Sequence, residues 1–291
     1  MRRNGIMLAT LVLLLSPSNL SAQTPQPKRD PTLRSLIRTG SNTIYFDLFR
    51  MVLPDLEFDP KDRDYGIAHR TIPIRHIGDT ETESLEGNFW VTSFGKRSIT
   101  SDGRQVIILQ LDLSAEGANQ GTPYEGEAAL LAAFSTDATP KLLDVMDVKT
   151  DRFTDLWDAQ PVFQLNSQHG AVVIHNTHFN AGESYDDLQV LFLDGERFKV
   201  ITGIFLLNTQ GCGATVTETP SFRALPDPRK YPKLIVKVTV KKEADSQECS
   251  RKTPAYTKYY EGVFYWNPAK GEYQGNSRQL NALDKFNRNR L

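Results

Sequence analysis

Hydrophobic and polar residues alternate along this chain with two different periods. Apolar residues recur at helical spacing in residues 31–37 and again in residues 44–52, which predicts two short N-terminal helices, the second ended by Pro54. Beyond Pro54 the period changes to two, the spacing of β-strands. Residues 277–286 return to helical spacing with Ser277 as a capping residue, which predicts one C-terminal helix.

The strand-like segments follow one another at short intervals, with turn residues between them. Asp102-Gly103 and Asp194-Gly195 are pairs typical of tight hairpins. Residues 127–135 (EAALLAAFS) fit a strand or a helix, because alanine and leucine favour helices. The whole pattern predicts a mainly β protein of antiparallel sheets, propeller-like or sandwich, with short N-terminal helices and one C-terminal helix.

The N-terminal residues 1–22 have the features of a secretory signal peptide. Arg2 and Arg3 precede the uncharged apolar residues 6–15, and Ala22 is a small residue at a plausible cleavage point. A run this short rises only about 15 Å as a helix, half of what a bilayer core needs. We therefore expect an exported chain, periplasmic or extracellular after cleavage near Ala22, with no integral membrane span in the mature chain.

The composition and the predicted elements divide the mature chain into three regions. Residues 23–30 are polar and contain proline, which predicts a flexible lead-in. Residues 31–125 hold the N-terminal helices and the first strands, and residues 126–291 form an antiparallel β region closed by the C-terminal helix. The alternative is one continuous domain that includes both.

The net charge of the mature chain limits the classes of partner that we expect. Removal of residues 1–22 takes away two arginines and no acids, which leaves 32 basic and 35 acidic residues and a net charge of −3 with neutral histidines. Nucleic-acid binding usually needs a basic face. We therefore expect no nucleic acid among the partners.

Cys212 and Cys249 are the two cysteines of the chain. In an oxidising compartment two cysteines usually pair, and a disulfide here would stabilise the fold by roughly 4 kcal/mol. No histidine lies near either cysteine in the sequence, so a structural disulfide is favoured over a catalytic thiol.

Residues 169–187 hold three of the five histidines. If residues 171–179 form a regular strand, His175 and His178 lie on opposite faces, because side chains alternate along a strand. Such a strand does not allow these two histidines to share a metal ion. A strand with polar residues at its end is therefore favoured over a metal site.

A polar segment follows this strand, and we expect it to be a binding loop. Its candidate binding residues are His178, Asn180, Ser184 and Tyr185, since polar loops on a rigid sheet commonly carry binding sites. The alternative is catalytic: His178 would form an acid–base site with Glu183 and Asp186 in an exported hydrolase, metal-assisted or not.

An acidic segment precedes the histidines. In DVKTDRFTDL, Asp147, Asp151 and Asp155 occupy the first, fifth and ninth places, followed by Leu156. This segment resembles the calcium loop of FG-GAP repeats, found in integrin-like β-propellers, and the resemblance implies that these aspartates bind calcium within a strand–loop–strand unit. The segment departs from the repeat at Lys149, which replaces a ligand oxygen with a positive charge. The alternative is a solvated acidic turn.

The sequence thus favours one function and leaves a second open. The chain contains no intact catalytic motif, which favours a secreted, non-catalytic β-rich protein that binds another envelope protein or a carbohydrate. The alternative is the exported hydrolase with His178. No cofactor is expected, apart from calcium if the acidic segment binds it.

Overall fold

The computed structural model describes residues 31–91, 94–115, 126–211, 214–226, 231–244 and 254–289. The predicted signal peptide, the lead-in and both cysteines lie outside the described residues, so their predicted roles remain predictions. Within the described ranges the chain forms seventeen strands and two helices, which confirms a mainly β fold.

The first part of the chain contains one helix and eight strands. They are α1 (Tyr45–Phe49), β1 (Glu57–Phe58), β2 (Gly66–Arg70), β3 (Arg75–His76), β4 (Glu86–Val91), β5 (Phe94–Ser101), β6 (Arg104–Ala115), β7 (Gly126–Ser135) and β8 (Leu142–Asp147). These strands form the first sheet in the order β1-β2-β4-β6-β7-β8-β3, with β5 also paired to β6. All pairs are antiparallel except β3 with β8. This sheet runs across the predicted boundary at residues 125 and 126, because β7 pairs with β6.

The second part contains nine strands and one helix. They are β9 (Phe153–Leu156), β10 (Val162–Gln164), β11 (Gly170–Asn180), β12 (Glu183–Asp194), β13 (Arg197–Gly211), β14 (Ala214–Leu225), β15 (Lys233–Ala244), β16 (Tyr256–Asn267), β17 (Glu272–Asn276) and α2 (Arg278–Arg288). The strands form an antiparallel sheet in the order β10-β11-β12-β13-β14-β15-β16-β17, and β9 also pairs with β11.

The two sheets pack face to face, as in a sandwich. Buried apolar residues of both sheets form the layer between them, including Ile108 and Leu131 from the first sheet and Ile174 and Leu191 from the second. A second apolar cluster covers the other face of the first sheet together with α1, and a third covers the other face of the second sheet together with α2. The structure is sandwich-like, one of the two predicted arrangements.

The ambiguous segment 127–135 is strand β7, and its burial explains the ambiguity. Ala128 and Leu130 face the cluster beside α1, whereas Ala129 and Leu131 face the layer between the sheets. Because both faces are buried, the strand has no polar alternation that would distinguish it from a buried helix.

The prediction of two N-terminal helices is wrong for the first of them. Residues 31–37 form turns, and Leu36 makes an isolated β-bridge with Ile44. Leu33 and Ile37 are nevertheless buried, so their spacing reflects packing of a turn rather than a helix. A helix of this length forms few hydrogen bonds for the entropy that its nucleation costs.

The C-terminal helix is confirmed. Ser277 occupies the N-cap position of α2, and Leu280 and Leu283 are buried against the second sheet. Phe286, predicted on the same face, is 54% exposed, whereas the neighbouring Asn287 is fully buried. The helix therefore meets the sheet through one polar residue in its last turn.

Candidate functional site

The acidic segment connects the two sheets, since β8 ends at Asp147 and β9 begins at Phe153. Each of its three predicted calcium ligands contacts a different histidine. The pairs are Asp147 Oδ2 with His76 Nδ1 at 2.9 Å, Asp151 Oδ2 with His178 Nδ1 at 2.6 Å, and Asp155 Oδ1 with His175 Nδ1 at 3.3 Å. The two polar segments that the sequence presents separately are therefore one structural unit.

His175 and His178 lie on opposite faces of the second sheet, as predicted. β11 pairs with β12 without interruption from Ala171 to Asn180, so its side chains alternate regularly. His175 follows Val173 on the face toward α2, whereas His178 follows Ile174 on the face toward the first sheet.

His175 belongs to a network centred on the carboxylate of Asp186, which we call the Asp186 network. Its Nε2 lies 2.7 Å from Asp186 Oδ1, and its Nδ1 contacts Asp155. Asp186 also accepts hydrogen bonds from Thr177 Oγ1 at 2.8 Å, from Asn208 Nδ2 at 2.7 Å, and from the hydroxyl of Ser184. These donors come from three adjacent strands, β11, β12 and β13.

The electrostatics of this network favour an ion pair. Burial alone would lower the pKa of His175, but the hydrogen bonds and charges of Asp155 and Asp186 outweigh it and raise the pKa to about 9. Burial alone would raise the pKa of Asp186, but His175, Thr177 and Ser184 hold it below its usual value. At neutral pH the imidazolium therefore donates from both nitrogens to carboxylates.

The network extends as far as α2. Asn208 Oδ1 accepts a hydrogen bond from the N–H of Glu218 at 2.6 Å. The Glu218 carboxylate in turn accepts from Asn287 Nδ2 at 2.7 Å and from the N–H of Leu207 at 3.2 Å. This chain of contacts explains why Asn287, rather than Phe286, is the buried residue of the last helical turn.

The opposite face of β11 holds the segment between the sheets. Asn176 is fully buried; it accepts hydrogen bonds from the N–H of Thr150 at 3.0 Å and the hydroxyl of Thr154 at 2.6 Å, and donates to the carbonyl of Val148 at 3.1 Å. One side chain thereby contacts the segment between the sheets, residues 148–152, at two points and β9 at a third; we call this segment the crossover.

His178 and Glu183 are connected through Tyr185, which contacts both of them. The ring of His178 stacks on Tyr185 with 4.3 Å between ring centroids, and the Tyr185 hydroxyl donates to the Glu183 carboxylate. That hydrogen bond raises the pKa of Tyr185. Asp186 lies on the other face, so the predicted set of His178, Glu183 and Asp186 does not converge on one point.

The polar segment predicted as a binding loop forms the end of a hairpin, and its role in binding stays a prediction. β11 continues to Asn180 and β12 begins at Glu183, which leaves Ala181 and Gly182 as the turn. Gly182 has a φ of +88°, and a Cβ there would lie 2.5 Å from the carbonyl oxygen of Gln210. The local sequence does not predict this turn, because alanine-glycine is not among the strongest hairpin pairs.

The four predicted binding residues of this segment lie on different faces of the sheet, because side chains alternate along a strand. Ser184 is bound to Asp186, whereas His178 and Tyr185 stack on the opposite face, and Asn180 is exposed at the hairpin end.

No three His, Asp or Glu side chains of the described ranges are grouped so that they could hold a metal ion. Asp147 also accepts hydrogen bonds from the N–H groups of Ala129 and Lys149, at 3.0 and 3.1 Å. Calcium binding by Asp147, Asp151 and Asp155 stays a prediction.

A second polar region, which the sequence analysis missed, lies where β13 changes partner. β13 pairs with β12 from residue 197 to residue 209, but with β14 only over residues 209–211. The sheet folds back beyond this point, because Cα atoms of β13 and β17 approach within 8 Å although three strands separate them in the sheet order. α2 also packs against β13.

A groove of about 450 Å³ lies between the unpaired edge of β13 and α2. We call it the seam groove. Its lining includes the buried apolar residues Ile204, Phe264, Leu280 and Leu283. Its polar lining residues are Asp187, Gln189, Thr202, Ser277, Asn281, Asp284 and Arg288.

Backbone groups of β13 also face the seam groove. The N–H of Leu207 points away from β12, since it donates to Glu218, and Phe205 and Gly203 share this orientation because strand residues alternate. The carbonyls of Phe205 and Gly203 accept from Asn287 Nδ2 and Thr202 Oγ1, at 3.4 and 3.1 Å. In the described part of the chain, the N–H groups of Gly203 and Phe205 have no hydrogen-bond partner.

No family model, curated protein or solved structure matches the chain. Neither helix of the described ranges is long and apolar enough to cross a membrane.

Proposed function

We propose that this chain is an exported, non-catalytic binding protein whose ligand occupies the seam groove. One observation carries the proposal: a concave site of about 450 Å³ combines an apolar floor with backbone N–H groups of Gly203 and Phe205 that have no partner in the described part of the chain. Concave sites of this size with a few polar groups over an apolar lining are typical of small-ligand binding.

The pairing of the histidines supports a non-catalytic role. A general base needs a nitrogen that can accept a proton from the substrate. Both nitrogens of His175 face carboxylates, which leaves neither for a substrate. The Asp186 network and the Asn176 contacts then serve to hold β9, β11, β12 and the crossover together.

One contact favours the hydrolase as a second candidate. Asp151 binds His178 through Nδ1 at 2.6 Å, which leaves Nε2 as the nitrogen able to accept a proton. The His178 side chain is 25% exposed, so a substrate can reach it. The base in this candidate is the pair of His178 and Asp151, rather than His178 with Asp186.

Export is part of the proposal. Cleavage after residues 1–22 would release the mature chain into an oxidising compartment, where Cys212 and Cys249 would pair. Mass spectrometry of the secreted chain, with and without reduction, measures both events.

The test is a ligand screen of the mature protein with amide ¹H–¹⁵N spectra as readout. We expect at least one class of small molecule to shift the Gly203 and Phe205 amide signals. Asn281→Trp should abolish these shifts by filling the groove, whereas Ala282→Trp, the next residue on the exposed side of α2, should preserve them. Turnover of an ester, peptide, glycoside or phosphate substrate that His178→Ala abolishes would overturn the proposal in favour of the hydrolase.

A further inference from the structure

The charges around the seam groove nearly balance. The Asp284 carboxylate pairs with Arg288 Nε at 3.0 and 3.1 Å. Asp187 Oδ2 accepts hydrogen bonds from Thr150 Oγ1 at 3.0 Å and Gln189 Nε2 at 2.8 Å. An anion would meet two carboxylates here, and among the described residues no three His, Asp or Glu side chains are grouped so that they could hold a metal ion. The groove therefore suits a neutral ligand.

The groove offers donors and acceptors together. In the described part of the chain, Asp187 Oδ1 and Gln189 Oε1 accept no hydrogen bond, and Asn281 Nδ2 donates none. The N–H groups of Gly203 and Phe205 add two more donors on the opposite wall. A hydroxyl group donates and accepts at once, so several hydroxyls on one ligand can satisfy both kinds of group.

The width of the groove excludes an added β-strand. A strand inserted between two others needs roughly 9–10 Å between them, twice the usual strand spacing. Cα atoms of β13 and β17 approach within 8 Å, and Asn287 and Thr202 already bind carbonyls of the β13 edge. An extended peptide that pairs along β13 therefore does not fit, whereas a compact ligand does.

We infer that the ligand is a neutral sugar of one or two rings. The inference rests on the proposed function, since it names the ligand class of the seam groove. The apolar floor of Phe264, Leu280 and Leu283 would contact the C–H face of the ring, and the hydroxyls would bind Asp187, Asn281 and the N–H groups of β13. A hydrogen bond from a hydroxyl to a charged carboxylate contributes about 1.5–3 kcal/mol.

The experiment titrates the mature protein with named sugars while amide spectra are recorded. The sugars are glucose, galactose, mannose, N-acetylglucosamine, maltose and cellobiose, and the comparison compounds are inorganic phosphate, spermidine and tetraalanine. We expect at least one sugar to bind with shifts at Gly203 and Phe205. Asn281→Trp and Asp187→Asn should each weaken this binding by about tenfold or more, and Ala282→Trp should change it by less than about twofold.

The outcomes separate the two proposals. If phosphate, spermidine or tetraalanine shifts the Gly203 and Phe205 signals and no sugar does, the sugar inference is overturned and the groove remains the binding site. If no compound of any class shifts these signals, the groove itself is rejected. Sugar binding that survives Asn281→Trp unchanged would place the sugar elsewhere and overturn the inference as well.

Discussion

Asp186 and His175, at the centre of the Asp186 network, and the seam groove are both polar, yet they differ in how far their hydrogen-bonding groups are satisfied. In the network, Asp186 accepts from four side chains, and both nitrogens of His175 face carboxylates. In the groove, the described residues leave two backbone donors and several side-chain atoms without partners. A buried polar group without a partner costs free energy, whereas a satisfied one stabilises the fold. We accordingly expect the network to stabilise the fold, and we propose the groove as the surface for a ligand.

The largest expected effect is on Asp186. Asp186→Ala removes the acceptor of four side chains and leaves the partly buried His175 cation with Asp155 alone, so the free energy of unfolding should fall by about 3 kcal/mol, the lower end for a broken ion pair. Urea denaturation measures this change. The matched control is Asp187→Ala, the adjacent residue at the groove, which should cost about 1 kcal/mol because it accepts from only two side chains. Equal losses in the two variants would mean that the two regions do not differ in this way.

Asn176 should show the next largest effect. Asn176→Ala leaves the carbonyl of the buried Val148 and the N–H of Thr150 without their partner, so we expect a loss of about 2–3 kcal/mol and faster hydrogen exchange at Thr150. Asn180→Ala, on the same strand but exposed, should stay within about 0.5 kcal/mol. Unchanged exchange at Thr150 in Asn176→Ala would contradict the anchoring role.

Stability should depend on pH through His175. Its pKa rises from 6.5 in the unfolded chain to about 9 in the folded one, so its contribution is complete below pH 6.5 and disappears as the pH rises through 9. We expect a loss on the order of 2–3 kcal/mol across this window. Urea denaturation at several pH values measures it, and His175→Gln should flatten the profile. The lowered pKa of Asp186 predicts a separate loss in acid, below pH 3.8.

The smallest effect on stability is expected in the groove. Asn281 is exposed on α2, and its amide nitrogen donates no hydrogen bond within the described residues. Asn281→Ala should therefore change the melting temperature little, by the equivalent of about 0.5 kcal/mol at most, while it weakens ligand binding. A loss of about 2 kcal/mol or more would show that Asn281 is needed for the fold and would remove the contrast with Asp186.

Some of these features follow from local sequence. Asp102-Gly103 joins β5 to β6, with Ser101 opposite Arg104, because Asp-Gly readily adopts the positive φ of a tight turn. The opposite orientation of His175 and His178 follows from the pleat alone. Both depend only on residues that are close in the chain.

The partners of those histidines depend on long-range register. His178 contacts Asp151 because the crossover returns beside β11, and His175 contacts Asp186 because of the β11–β12 pairing. The seam groove combines residues from Asp187 to Arg288, and it exists because β13 loses its pairing with β14 before residue 209. No local sequence pattern predicts the partners of the histidines or the position of the groove.

The unpaired edge of β13 has a consequence for the order in which the protein is completed. A ribosome makes β13 long before residues 278–288, and α2 supplies Asn287 and the wall of the groove. During that interval, Glu218 and Thr202 are the side chains of the nascent chain that can bind this edge. An exposed strand edge is a site at which other chains can pair. The last helix thus covers a strand edge that would otherwise be open to pairing, and it forms one side of the seam groove.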